Sequence, residues 1–153
     1  MSKLTDFYFG QGRGAGRLFE DIMAFTDEEM ESTHDYIQWI FPVPEPSKWQ
    51  PQSPVLTEED LEMFRGVGAP TGRKFRATLM FMRFLSNNEH WRTPGNHNLL
   101  RITRVLRFLT LVDMSEEAEI IHTWILTEGY PGVPEKTKAI WAKALSSGFS
   151  DYR

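Results

Sequence analysis

His97, Arg101 and Arg104 stand at i, i+4 and i+7 in the run Asn96-His97-Asn98-Leu99-Leu100-Arg101-Ile102-Thr103-Arg104-Val105-Leu106, so on a helix they form one line. A guanidinium presents a fork of donors that matches carboxylate and phosphate oxygens. A helix opening at Asn96 would turn its unused backbone N–H groups and the positive end of its dipole toward the same place. The chemistry indicated is capture of an anion, with Asn96 and Asn98 as further polar contacts. The competing interpretation is internal pairing, since buried arginines need partners and Asp35 or the carbonyls at helix ends would serve.

A second group, His34, Gln38 and Trp39, falls at the edge of an apolar helix face. A histidine there is either a core residue bonded to a carbonyl or a base or ligand. Together His34, Gln38, Trp39, Asn96, His97, Asn98, Arg101 and Arg104 are the candidate ligand-binding residues. They fit a non-catalytic binding module for a small anionic or peptide ligand. The alternative is an enzyme acting on a phosphate or carboxylate compound, with His34 or His97 as general acid or base and the arginines stabilising charge. A structural or partner-binding helical domain is the third option, and no residue is assigned a catalytic role.

Other chemistries lack their residues. The absence of cysteine excludes disulfides, thiolate metal sites and a cysteine nucleophile. His34, His90, His97 and His122 show neither His-Glu-x-x-His nor His-x-His spacing, so no metal site is expected, and no Gly-x-Ser-x-Gly elbow nominates a hydrolase. Gly10-x-Gly12-x-x-Ala15 meets the loosest dinucleotide fingerprint, but that motif works only between a strand and a helix of a parallel sheet. An ordinary turn-rich N-terminal segment is expected there, and no cofactor. Nucleic acid is not favoured, because Arg101 and Arg104 share their surface with Leu100, Phe108 and Leu111 on a chain of net charge −4.

The element that must position the first group is a helix over 96–112. Asn98, Ile102, Val105, Leu106, Leu109 and Val112 make one broad apolar sector, and only the Thr103, Arg107 and Thr110 edge reads as wet. Such a helix belongs at the centre of a fold. Thr26-Asp27-Glu28-Glu29 opens a helix expected to run through Trp39, carrying His34 and Gln38, until Pro42 stops it. Between Pro42 and Pro54 five prolines without periodicity make an extended loop, with Trp49 expected to pin it to the body. Further helices are expected over 17–25, after Thr57, over 74–86 with Phe75, Leu79 and Met82 on one packed side, Met80, Phe81 and Phe84 on another and Arg76 and Arg83 toward solvent, and after a cap at Ser115 with Ile120, Ile121, Trp124 and Ile125 inward. The last is expected from Pro134 to Gly148 with Ile140, Trp141, Ala144 and Leu145 inward. No period-two strand and no internal repeat is found. The class is all-α: a single compact domain of about six or seven helices around a central buried helix, with a long proline-rich loop.

A chain of 153 residues, 41% hydrophobic and 25% charged, suits one soluble domain. No apolar run approaches the roughly 20 residues that cross a bilayer. The start Met1-Ser2-Lys3-Leu4-Thr5-Asp6 lacks the apolar core of a signal peptide, so a cytoplasmic location is expected. Charge is segregated: from Arg73 to Arg107 eight Lys and Arg face the single acid Glu89, leaving −11 on the remainder. Either the acidic flanks fold back on the basic centre or that centre meets an anionic partner.

Two long blocks, His34-Asp35-Tyr36-Ile37-Gln38-Trp39-Ile40-Phe41-Pro42 and His97-Asn98-Leu99-Leu100-Arg101-Ile102-Thr103-Arg104-Val105-Leu106, with Pro54-Val55-Leu56 between them, resemble the conserved domain of the opioid growth factor receptor family. The resemblance spans roughly Phe7 to Val112, with the helix around Trp141 a weaker extension, and the compact length is similar to small microbial members. It implies relatives described in animals as perinuclear receptors for an enkephalin peptide. It carries no peptide-binding motif onto particular positions here, but the two blocks coincide with the two groups of candidate residues.

Overall fold

The computed structural model describes residues 1–152. Among these residues the regular structure is nine α-helices and two 3₁₀ turns, and no strand is formed beyond an isolated bridge between Gly14 and Arg17. The all-α expectation holds. The chain divides into two compact units, one over Met1–Asn87 and the other from Asn88 onward.

The first unit holds α1 (Lys3–Tyr8), α2 (Phe19–Met23), α3 (Asp27–Ser32), α4 (Ile37–Ile40), α5 (Glu58–Phe64) and α6 (Thr71–Asn87). The N-terminal segment is a helix before it becomes a glycine turn. Ser2 Oγ accepts the Thr5 N–H at 3.2 Å and donates to Asp60 Oδ1 at 2.6 Å, while Leu4, Phe7 and Tyr8 go into the core. A helix thus precedes Gly10, so the strand that a dinucleotide loop requires is missing from its place. Both predicted capping boxes form: Thr26 with Glu29 opens α3, and Thr57 with Asp60 opens α5.

The helix expected to run unbroken from Asp27 to Trp39 is two helices. Thr33 is extended at φ −98° and ψ 133°, and Tyr36 folds back so that its hydroxyl donates to the Met30 carbonyl at 2.8 Å. The proline-rich loop is not held by Trp49, which is 79% exposed. Its ends are instead joined by the Leu56 N–H to the Val43 carbonyl at 3.0 Å, with both side chains buried.

Of the two sides of α6 expected to pack, the one with Met80, Phe81 and Phe84 is buried as expected and the one with Phe75 and Leu79 is not. Lys74, Ala77, Thr78, Phe81, Phe84 and Leu85 point inward, and Phe75 and Leu79 point out. The buried Lys74 ammonium reaches the carbonyl of Phe64, the last residue of α5, at 2.7 Å, which satisfies a helix-end acceptor with a cation.

In the second unit α7 (Asn98–Leu111) packs against α8 (Ser115–Glu128), α9 (Glu135–Ala144) and the 3₁₀ turn Glu89–Arg92. Ten of the fourteen residues of α7 are buried, so it is the central helix of its unit. The edge expected to be wet is largely covered. Thr103 is buried with its hydroxyl donating to the Leu99 carbonyl at 3.1 Å, the half-buried Thr110 donates to the Leu106 carbonyl at 2.8 Å, and the exposed residue of α7 is Leu100. Trp141 of α9 adds an indole N–H to the Leu99 carbonyl at 3.4 Å, and Trp91 stacks on Trp124 at 5.9 Å. α8 starts one residue earlier than expected: Ser115 is its first residue, and Met114 holds the capping position without a side-chain bond. Its buried residues are Ala118, Ile121 and Ile125, a stripe too narrow to take in Ile120.

Candidate site at the start of the central helix

Asn96 stands one residue before the capping position of α7, which His97 holds without a side-chain bond. The Asn96 Oδ1 accepts the Asn98 N–H at 2.9 Å, and the Asn96 carbonyl accepts the Leu99 N–H at 3.1 Å. The His97 carbonyl takes the Leu100 N–H at 3.2 Å and the Arg101 N–H at 3.4 Å. The backbone donors expected to greet an anion are therefore already bonded, and this helix start offers side chains only.

Those side chains form a graded line. Asn98 is fully buried and accepts from Arg101 Nη1 at 3.3 Å, which orients a guanidinium that is itself only 6% exposed. His97 and Arg104, one turn to either side, are half-buried at the solvent boundary. Phe108 continues the line into the core. No acidic residue occurs on α7. Asp35, the acid nominated to pair with these arginines, is held by Arg17 at 2.9 Å.

The other candidates belong to the first unit, at the α3–α4 break. Gln38 is buried, with its Nε2 donating to the His34 carbonyl at 3.3 Å and its Oε1 lacking a hydrogen-bond partner among the described residues. Trp39 is half-buried, its ring 5.4 Å from Phe7 and pressed on Gly14. His34 is exposed rather than a core histidine, because the break at Thr33 swings it off the apolar face.

Titration is perturbed elsewhere. Burial pushes the Tyr8 phenol far up while its hydroxyl donates to the Ile40 carbonyl at 2.9 Å. The Arg76 hydrogen bond holds Glu20 below the usual carboxylate range, and burial lowers His122. Among the described residues no group of three or more His, Asp or Glu is placed to hold a metal ion. Among the described residues no helix is long and apolar enough to cross a membrane.

Comparison with known proteins bears on the first unit. A family model described as the opioid growth factor receptor conserved region matches residues 17–88. Residues 17–88 are thus similar to that conserved region. The conserved region ends within a residue of the boundary between the two units, so it contains His34, Gln38 and Trp39 and stops short of His97, Arg101 and Arg104. The chain is 30% identical to the opioid growth factor receptor of Rattus norvegicus over 116 residues, covering 61% of this chain and 20% of that protein. It is 31% identical to the Homo sapiens receptor over 119 residues, covering 61% and 17%, and 30% identical to that of Mus musculus over 116 residues, covering 61% and 18%. The chain thus spans about a fifth of the length of these relatives. No solved structure matches it.

Proposed function

We propose that this protein is a non-catalytic binding module whose ligand presents a carboxylate or similar anionic group to the His97–Arg101–Arg104 line of α7. What supports the reading is the grading of that line. One guanidinium is buried and oriented by Asn98, and His97 and Arg104 stand beside it at the solvent boundary on a helix without acids. In this arrangement Arg104 meets the ligand with a planar fork, His97 supplies a ring N–H, and Arg101 holds positive charge behind them where screening is weaker. The relatives bear the name of a growth factor receptor, and a peptide carries a terminal carboxylate of the required kind. On the first unit, His34 and Trp39 offer a contact surface, with Gln38 as the buried support of that break.

Thermal shift and titration calorimetry test this with inorganic phosphate, citrate and the opioid growth factor peptide as probes. At least one probe is expected to raise the melting temperature of the wild type. Arg104→Ala, at a half-exposed position, is expected to abolish that rise while changing unliganded stability by only about 0.5 kcal/mol. Failure of all three probes, or a rise that survives both Arg104→Ala and His97→Ala, overturns the reading.

A further inference from the structure

α6 and α8 carry uncovered faces of opposite character. On α6, Phe75 and Leu79 stand one turn apart and are 47% and 54% exposed, with Arg76 and Arg83 in the adjacent exposed row. The charges of this helix are Arg73, Lys74, Arg76 and Arg83, without one acid. On α8, Ile120 is 70% exposed beside Glu116 and Glu119, with Thr123 one turn below. The charges of α8 are Glu116, Glu117, Glu119 and Glu128, without one Lys or Arg. Arg83, Glu116 and Glu119 make no ion pair among the described residues, and Arg76 stays 50% exposed despite its bond to Glu20.

Large apolar side chains left in water beside charges of one sign mark an interaction surface. Each of these two faces supplies what the other lacks.

We propose that the partner is a second copy of this chain, with α8 of one copy lying against α6 of the other. Ile120 seats between Phe75 and Leu79, and Glu116 and Glu119 turn toward Arg76 and Arg83. The choice of a like chain rests on charge complementarity, which steers encounter and sets register. Since every copy bears both faces, the contact forms twice about a two-fold axis or propagates head to tail. The inference does not depend on the ligand reading of α7.

Sedimentation equilibrium of the full chain over a concentration series, at low and high salt, tests it. Reversible association is expected, weakened by salt. Leu79→Asp, Arg83→Glu and Glu119→Lys are each expected to raise the dissociation constant by about tenfold. All three positions are exposed, so circular dichroism of these variants is expected to match the wild type. An equimolar mixture of Arg83→Glu and Glu119→Lys chains is expected to regain association. In the mixed pair the two reversed charges face and attract each other across one contact, and the other contact is wild type. A wild type that stays monomeric, an association indifferent to these substitutions, or a mixture that binds no better than its components overturns the proposal.

Discussion

Gly14 and Gly132 have no room for a side chain. A Cβ on Gly14 would run into the Trp39 indole, and one on Gly132 would run into the Arg92 carbonyl. Gly14→Ala is therefore expected to destabilise the first unit by about 1–3 kcal/mol, read as a fall in the urea midpoint without a change of slope. The sequence shows a glycine-rich stretch at 10–16 but not which glycine touches a ring, since Trp39 lies 25 residues away from Gly14.

His122 carries a pH prediction. Burial holds its imidazole below the ordinary 6.5, so the unfolded chain takes up a proton where the folded chain does not. Its contribution to stability is fully present above pH 6.5, falls as the pH drops toward the lowered folded value, and levels off below that. Melting temperatures of wild type and His122→Gln, followed downward from neutral pH, are expected to converge or cross, with the variant showing the flatter profile.

At the scale of elements, starts were legible and orientations were not. The boxes of Thr26 with Glu29 and Thr57 with Asp60 form as their spacing requires, because a cap bonds within one turn of itself. Thr57→Ala is expected to cost about 1 kcal/mol by denaturant titration, and Thr57→Ser much less, since the serine hydroxyl still accepts the Asp60 N–H. The exposure of Phe75 and Leu79 on α6 and of Ile120 on α8 escaped pattern reading for one shared reason. Both helices are apolar over more than one face, so the inward face depends on what packs beside them. In the candidate site, the helix carrying Arg101 and Arg104 was legible in local sequence, whereas the capping position at His97, the burial of Arg101 and the use of the early backbone donors of α7 emerged only from the folded chain.

For the molecule as a whole, the family match and the first compact unit end together, at Asn88 and Asn87. Residues 1–87 enclose a core of their own, including Phe7, Tyr8, Phe19, Tyr36, Phe64 and Phe81. Expressed alone, this fragment is expected to show a helical circular dichroism spectrum and a cooperative thermal transition. A featureless melt would contradict that expectation.

Helix class, most helix starts, the lack of strands among the described residues and the likeness to the conserved region over 17–88 were set by the sequence by itself, because helix periodicity and capping are short-range and the blocks around His34 are long enough to be distinctive. Which apolar stripe is buried, where α3 ends, that Trp49 stays out and that Asp35 goes to Arg17 were decided by tertiary structure. Each depends on a partner far along the chain, such as the Phe64 carbonyl that Lys74 reaches, and local spacing holds no information about such a partner.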